Sequence, residues 1–473
     1  MHRLLPLFGI LLIIALVVGG MYILLAPELV EISPADGESN VRAGSSIRLK
    51  FSRSMQTDSI IERLSFEPPH SGKYEWKDNT LIFSPSQPWP NGKTITATLA
   101  RGGKSDDLIP LTIRNDFEWT FSIGQPLLVY LFPADGSPDI YIYDTLSGES
   151  ERLTQYGGVL DFDIDVGGRA IYFSQRSGQS GSRIYRLRLG DEVASEPQLL
   201  LDCTDAICQS ASISPDSKFL AYERTFFEGK EQVTYPQVWL LPLTGEMAGE
   251  GEQPGNNANT PHRVANEFNQ TIAPHWSPTG WLTYYDYGLE AFVVQDPISD
   301  EQKLIKNQTA QPGSWHPSGN YYVVPEIFFV DAENVDGSTD LDTIGSSHLL
   351  LFNLDNDTIK DLTQLNNLED TVPIFSPDGR SLTFARKFLT IELWTPGRQL
   401  WLMDMDKREA HQLTNDPFYN HFDFAWSPTG EFIAYMRFNQ TDLTSLPEIW
   451  VINPKTLQTT RLVEGGFSPQ WIP

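Results

Sequence analysis

The sequence contains only two cysteines, Cys203 and Cys208, and its eight histidines are scattered along the chain. Two cysteines cannot form a four-ligand zinc site, and no pair of histidines is spaced to complete one. We therefore expect no metal site and no cofactor. Only residues 204–207 separate the cysteines, and a disulfide across so short a loop would contribute on the order of 2 kcal/mol to stability. A local disulfide between them is the simplest prediction.

Catalytic motifs are also missing. The sequence has no G-x-S-x-G nucleophile elbow and no H-E-x-x-H zinc-protease motif. A carboxylate pair of the kind that cleaves sugars could still be present among the 61 Asp and Glu residues. The sequence predicts that the chain is not an enzyme, and a hydrolase or lyase acting on polysaccharide or peptide stays open as the alternative.

Basic residues are scarce. The chain has 34 Lys and Arg against 61 Asp and Glu, which gives a formal net charge of −27. An acidic surface repels phosphate backbones, so nucleic-acid binding is disfavoured. A basic partner is compatible with this charge but is not required by it.

What the sequence does contain is a repeat that begins near residue 127. Proline presets φ at the second position of a turn and glycine accepts the positive φ that follows, and five short segments share this chemistry: 214–216, 277–280, 316–319, 376–379 and 427–430. Strands with an apolar period of two form a series of seven: Leu127–Phe132, Ala170–Gln175, Phe219–Arg224, Trp281–Asp286, Tyr321–Glu326, Leu382–Arg386 and Phe432–Arg437.

The end of the chain repeats only part of this unit. Residues 469–473, Pro-Gln-Trp-Ile-Pro, resemble the phrase Pro-His-Trp-Ser-Pro at 274–278, but the three strands that follow the earlier copy are missing after Pro473. Three such strands stand instead after Pro126. Seven four-stranded units are therefore complete only if the last strand pairs with the first three, which predicts a closed ring.

This pattern resembles the TolB-like, PD40-type (WD40-like) β-propeller repeat over roughly residues 125–473. The resemblance implies an all-β fold, and the unit count predicts a seven-bladed propeller closed by pairing of the C-terminal strand with the first blade. It departs from TolB itself, which is known as a six-bladed propeller behind a different amino-terminal domain.

The amino terminus carries a long apolar segment. Residues 4–27 have no charged side chain, and as a helix they would reach about 36 Å, enough for a hydrocarbon core of about 30 Å. We predict an uncleaved membrane anchor over residues 1–27, with a cleaved signal peptide as the alternative. The predicted localisation is the cell membrane, single-pass, with a cytoplasmic N-terminus and the bulk of the chain outside the cytoplasm.

Residues 28–124 follow a different pattern, with seven short alternating strand candidates and no repeat. Such a series predicts a β-sandwich. The phrases at 33–37, 49–55 and 117–121 resemble the bacterial Ig-like domain of the SbsA type, which implies a spacer or adhesive module of the cell envelope.

Loop lengths indicate where a partner would bind. Connections from the second to the third strand of each unit are long in several units, and they share one face of a propeller. We predict that this face binds a partner, and its candidate residues are Phe226, Phe227, Tyr235, Phe328, Phe329, Phe388, Trp394, Arg398, Phe418, Tyr419 and His421. The alternative is that these aromatic residues only pack the loops onto the sheets.

Together these patterns predict a membrane-anchored extracytoplasmic binding or scaffold protein that presents a propeller to a protein or a cell-envelope glycan. Asp161, Asp163 and Asp165 alternate along one first strand and could contribute to a cation site. Three carboxylates supply too few oxygens for a hard ion, so hydrogen bonding between neighbouring units or turn capping is the preferred interpretation.

Overall fold

The computed structural model describes residues 26–86, 88–189, 196–243, 260–333, 339–363, 365–442 and 444–473. The chain divides into two compact units, Met1–Gln125 and Pro126–Pro473. Both are built from β-strands, and within the described residues a single five-residue helix, α1 (Thr57–Ile61), accompanies them.

The first unit is a sandwich of two four-stranded sheets. Its strands are β1 (Leu29–Ser33), β2 (Glu38–Val41), β3 (Ile47–Phe51), β4 (Leu64–Glu67), β5 (Gly72–Lys77), β6 (Thr80–Pro85), β7 (Thr94–Leu99) and β8 (Phe117–Ile123). The sheets have the orders β1-β3-β6-β5 and β2-β8-β7-β4, and only β2 and β8 pair in parallel. The seven predicted strands are all present, and β2 is an eighth that the sequence analysis missed.

The core of this sandwich follows from strand periodicity. In β3 the side chains of Ile47, Leu49 and Phe51 are buried and the two between them are exposed, as the alternating geometry of a strand requires. Trp89, fully buried, packs its ring against Phe66 and lies between the sheets. Aromatic packing of this kind stabilises the domain without a disulfide between its sheets.

The second unit consists of consecutive antiparallel four-stranded sheets. Its strands are β9 (Leu127–Phe132), β10 (Asp139–Asp144), β11 (Ser150–Arg152), β12 (Val159–Ile164), β13 (Ala170–Ser177), β14 (Gly181–Arg188), β15 (Gln198–Cys203), β16 (Ala206–Ile213), β17 (Phe219–Glu228), β18 (Glu231–Gln232), β19 (Gln237–Pro242), β20 (His262–Arg263), β21 (Thr271–Trp276), β22 (Leu282–Asp286), β23 (Ala291–Gln295), β24 (Gln302–Lys306), β25 (Ser314–Trp315), β26 (Tyr321–Glu333), β27 (Thr339–Asn353), β28 (Thr358–Asp361), β29 (Leu368–Phe375), β30 (Ser381–Phe388), β31 (Gln399–Asp404), β32 (Glu409–Gln412), β33 (Tyr419–Trp426), β34 (Ile433–Asn439), β35 (Glu448–Ile452), β36 (Thr459–Glu464) and β37 (Phe467–Trp471).

These strands follow one another up and down within each sheet. The orders are β12-β13-β14-β15, β16-β17-β19-β20 with β18 beside β17, β21-β22-β23-β24 and β33-β34-β35-β36. Strands β25–β32 form two further such groups, which are joined by one parallel bridge between Ser347 and Glu369. The last strand, β37, pairs antiparallel with β9, opposing Trp471 to Leu128 and Gln470 to Val129.

Each of the repeated Ser-Pro turns is stabilised by its serine hydroxyl in the same way. The Oγ atoms of Ser214, Ser277, Ser376 and Ser427 each accept a hydrogen bond from the backbone N–H that opens the next strand, at 2.9 to 3.0 Å. Each turn therefore satisfies a backbone donor that would otherwise be unpaired. A second hydroxyl recurs near the end of the unit, where Thr154, Thr363 and Thr414 each accept from a backbone N–H of the third strand.

The structure contradicts the predicted membrane localisation. Across the described part of the chain, no helix is long and apolar enough to cross a membrane. The helix α1 spans about 8 Å at about 1.5 Å per residue, far below the roughly 30 Å of a bilayer core. The predicted anchor at 1–27 lies outside the described residues except for Ala26 and Pro27.

Two of the predicted long loops are also corrected. Residues after Arg224 and after Glu326 continue as strand, because β17 extends to Glu228 and β26 extends to Glu333. The extension of β26 pairs with β27 as far as Glu333 opposite Thr339. Backbone pairing therefore replaces the irregular connection expected from the sequence.

Candidate functional site

The second unit has two chemically different ends. Because the strands alternate in direction, the connections from second to third strand and from one sheet to the next lie at one end of the sheets, which we call the loop face. The connections from first to second and from third to fourth strand lie at the other end, the turn face. All of the predicted site residues lie at or near the loop face.

Four of the predicted aromatic residues expose more than half of their surface to solvent. Tyr235, Phe329, Trp394 and Phe418 expose 67%, 68%, 53% and 56% of their surface. The Nζ of Lys387 lies 4.9 Å from the ring centroid of Trp394 and leaves much of this ring uncovered. These side chains are available to a partner.

Three other predicted aromatic residues pack onto the sheets below the loops. The guanidinium carbon of Arg224 lies 4.4 Å from the ring centroid of Phe226, and that of Arg437 lies 4.2 Å from the ring of Tyr419. The ring of Phe388 meets Trp401 edge to face at 5.9 Å. Cation–π and edge contacts of this kind hold the loops in place.

The remaining predicted aromatic residues belong to extended strands. Phe227 is half-buried in β17 and pairs with Gln232 of β18. Phe328 lies in β26, where its ring is 4.9 Å from that of His348. Phe328 and Phe329 are neighbours on one strand, so their side chains point to opposite faces of the hairpin.

Arg398 and His421 are brought together, and they connect neighbouring sheets. The Nη2 of Arg398 donates to Glu369 Oε2 at 2.5 Å. The backbone carbonyl of Arg398 accepts from the backbone N–H of His421 at 3.0 Å and lies 2.8 Å from His421 Nδ1. Burial lowers the pKa of His421 to about 4. This histidine is therefore neutral near pH 7 and tethers the loop that precedes β31.

Ion pairs lie beneath the same loops, and the Asp370–Arg386 pair is buried. Asp370 and Arg386 are almost fully buried, and the guanidinium donates to both carboxylate oxygens at 2.7 Å. Arg437 donates to Asp416 at 2.7 Å and to Glu448 at 2.8 Å. Bidentate and networked pairs fix geometry more firmly than single exposed pairs do.

The aspartates of β12 have a structural role. Asp161 accepts from the backbone N–H of Ser210 at 2.7 Å, and Asp163 accepts from that of Ile213 at 2.9 Å, so both connect β12 to the next sheet. Burial raises the pKa of Asp163 to about 6. Asp165 caps the following turn. Where the structure describes the chain, no group of three or more His, Cys, Asp or Glu side chains is placed to hold a metal ion.

Cys203 and Cys208 form a disulfide in the structure. Cys203 ends β15, Cys208 lies in β16, and both are fully buried. The bond therefore joins two neighbouring sheets on the loop-face side. Ser182 reinforces the junction, because its Oγ accepts from Cys208 N at 2.6 Å and donates to Cys208 O at 2.8 Å.

The sequence analysis missed a cavity of about 450 Å³ between the β9–β11 sheet and the β12–β15 sheet. Its lining includes Tyr156, Arg176, Arg183 and Tyr185, which come from a connection and two strands. Sequence spacing alone cannot show that residues from such separate segments lie together. Only the exposed Tyr156, in a connection between sheets, could have been recognised as unusual.

A comparison with known protein families finds a match in the first unit. Residues 25–123 match the model of the bacterial Ig-like domain, which confirms the predicted domain there. No curated protein sequence matches the chain.

Several solved structures are similar to this one. TolB from Acinetobacter baumannii has 11% identity, covers 87% of this chain and 83% of its own, and has a TM-score of 0.41. The β-propeller domain of the Trilobed protease from Pyrococcus furiosus has 10% identity, covers 79% and 93%, and has a TM-score of 0.45. A puromycin-hydrolyzing peptidase from Mycobacterium tuberculosis has 12% identity, covers 90% and 57%, and has a TM-score of 0.48. Residues 25–123 are thus similar to a bacterial Ig-like domain, and the second unit is a series of four-stranded antiparallel sheets.

Proposed function

We propose that this chain is a binding protein that captures a protein partner on the loop face of residues 126–473. The proposal assigns binding rather than catalysis, and it assigns the Ig-like domain an accessory role as a spacer. It rests on one observation, the uneven distribution of exposed apolar side chains between the two faces.

The large apolar side chains that are exposed in the described part of residues 126–473 gather on the loop face. Four lie on the turn face and three on outer strands: Leu146, Val166, Ile298 and Leu457, and Leu199, Leu304 and Ile359. The loop face has fourteen: Tyr156, Val233, Tyr235, Phe268, Tyr287, Leu289, Phe328, Phe329, Leu365, Ile391, Leu393, Trp394, Phe418 and Leu446. Single exposed apolar residues are ordinary, but a surface that concentrates them indicates an interface.

Charge supports a partner with a basic surface. Residues 321–353, which include the β26–β27 hairpin, contain six acidic residues and no Lys or Arg. Complementary charge accelerates association and favours the correct partner over others. An apolar surface with positive charges around it would match both properties of the loop face.

We further infer that residues 126–473 form a seven-bladed ring. The pairing of β37 with β9 supports this inference, because it completes a four-stranded group from both ends of the unit. Contacts between the first strands of neighbouring sheets, such as β12 with β16 and β33 with β37, support it as well. A ring would hold all the loops on one rigid surface.

The test compares matched exposed residues on the two faces. The probe is a twelve-residue peptide that alternates lysine with valine, and its control replaces each lysine with glutamate. We expect the lysine peptide to bind the wild-type chain. The double substitution Phe329→Ser with Trp394→Ser should weaken this binding at least about tenfold. The control pair on the turn face, Ile298→Ser with Leu146→Ser, should leave it unchanged.

Equal weakening by both pairs of substitutions, or equal binding of both peptides, would overturn the proposal. Turnover is measured in parallel with cell-wall polysaccharide and peptide fragments. Repeated turnover of any fragment would support the alternative of a propeller enzyme and contradict a role in binding alone.

A further inference from the structure

A second binding site is indicated by the cavity between the β9–β11 sheet and the β12–β15 sheet. Its volume of about 450 Å³ lies in the range of small-molecule sites, about 300 to 1,000 Å³. It is lined by the connection after β11, by β13 and β14, and by Glu196 and Pro197. The cavity is a different feature from the apolar residues that carry the proposed function, and the inference does not depend on them.

One part of the lining is aromatic. The rings of Phe173 and Tyr185 stack with centroids 5.3 Å apart and an angle of 20° between their planes. Phe173 is buried beneath, while Tyr185 is half-buried and reaches the cavity. Tyr156 contributes a third ring and exposes 83% of its surface. Ring faces carry partial negative charge, and they attract the polarised C–H groups found on one face of a sugar.

A second part of the lining is cationic. Arg176 is exposed, and among the residues that the structure describes it has no carboxylate within ion-pair distance. Arg183 uses its Nε to bind Asp202 at 3.0 Å and keeps other N–H groups for a ligand. Since Asp202 offsets the charge of Arg183, the positive charge available to a ligand comes from Arg176, and Glu196 contributes one lining carboxylate.

The lining also supplies hydrogen-bond acceptors. The amide nitrogen of Gln175 is engaged, since it donates to Gly157 O at 2.7 Å, and this contact leaves the amide oxygen as an acceptor. Glu196, also in the lining, is exposed, and its carboxylate accepts only. A ligand for this cavity therefore needs an anionic group, several hydroxyl donors and an apolar face.

We propose that this cavity binds a sugar acid of the hexuronate type. The carboxylate pairs with Arg176, for which a planar guanidinium is well suited. The C–H face of the sugar ring lies against Tyr185 and Tyr156. The hydroxyl groups donate to Glu196 and to the amide oxygen of Gln175.

Isothermal titration of the full chain tests the proposal with D-glucuronate and D-galacturonate as probes. D-glucose, acetate and inorganic phosphate serve as comparison ligands. At least one hexuronate should bind more tightly than every comparison ligand. If neither hexuronate binds, the proposed site is overturned. If glucose binds as tightly as the hexuronates, the carboxylate has no role in recognition. If acetate or phosphate binds as tightly, the cavity is only an anion site and the sugar assignment is overturned.

Variants locate the binding to the cavity. Arg176→Gln should weaken hexuronate binding about tenfold or more, since a charge-assisted pair is lost, and should leave glucose binding unchanged. Tyr185→Ala should weaken the binding of both hexuronate and glucose. Arg188→Gln, on the same sheet but outside the lining, is the control. Hexuronate affinity that is the same in Arg176→Gln and in wild type would overturn the assignment, provided that the variant keeps the wild-type thermal unfolding midpoint.

Discussion

The two faces of the second unit use different chemistry to hold the same kind of strand. On the turn face, neutral hydroxyls of Ser-Pro turns cap the strands. Under the loop face, threonine hydroxyls also cap strands, and buried ion pairs such as Asp370–Arg386, a neutral histidine and a disulfide are added to them. Tight turns satisfy their own backbone groups, whereas long connections need side chains to fix them. The difference shows that the irregular face is rigidly anchored from below while it exposes apolar residues above.

Removal of a buried charge should have the largest effect. Asp370→Ala leaves Arg386 buried without its partner, which should lower the free energy of unfolding by about 3 to 5 kcal/mol. Urea denaturation measures this change. Glu464→Ala, which breaks the exposed contact with Arg461, is the control and should cost less than about 1 kcal/mol. Similar losses for both would mean that the ion pairs under the loops do not differ from surface pairs.

The neutral histidine should make stability depend on pH. The pKa of His421 is about 4 in the folded chain and about 6.5 when unfolded, so the unfolded chain takes up the proton first as pH falls. The free energy of unfolding should therefore decrease by up to about 3 kcal/mol between pH 6.5 and pH 4 relative to His421→Gln.

The quantity to measure is the difference between wild type and His421→Gln at each pH. Asp163 and Asp423, whose pKa values are raised to about 6 by burial, act in the opposite direction between pH 4 and pH 6 and cancel in this difference. A difference that is constant with pH would show that His421 is not held neutral.

Loss of a turn hydroxyl should have a smaller effect. Ser376→Ala removes the acceptor for the N–H of Ser381 and the donor to Asp378, which should cost about 1 kcal/mol. Ser376→Thr keeps the hydroxyl and should retain most of the stability. If the alanine variant lost as much as Asp370→Ala, the two faces would not differ in the way described.

Removal of an exposed ring should hardly affect folding. Trp394→Ser should change the free energy of unfolding by no more than about 0.5 kcal/mol, as is usual for surface positions, measured by the same urea titration. Trp401→Ser, in the packed layer below, is the comparison and should be strongly destabilising. A large loss for Trp394→Ser would mean that this ring packs the loop rather than serving a partner.

Local patterns predicted most of the strands because each carries its own signal. The period-two runs from Leu127, Ala170 and Phe432 all lie in strands, as does the run from Leu29. The strand Glu38–Val41 was missed because its sequence, Glu-Ser-Asn-Val, has no apolar alternation, and Val41 is its one buried residue. The helix Thr57–Ile61 was missed because five residues are too short for a helical period.

Site residues were harder to predict, since a residue type does not show which side of a loop it occupies. Phe226 and Trp394 look equivalent in the sequence, yet Arg224 covers the first and the second remains open. His421 looked like a polar contact for a partner, but it is buried against the backbone of Arg398. The cavity beside Tyr185 needs four separate segments, so only the folded chain reveals it.

The pairing of β37 with β9 has a consequence for biosynthesis. Phe467 follows Phe132 by 335 residues, so at about 5 to 20 residues per second a ribosome needs roughly 20 to 70 s to deliver the partner of β9. During this interval the edge of β9 has unsatisfied backbone groups that can recruit any extended neighbour. Until β37 has been synthesised, the nascent chain is therefore exposed to aggregation at this edge, and chaperones that bind bare strand edges would protect it during that interval.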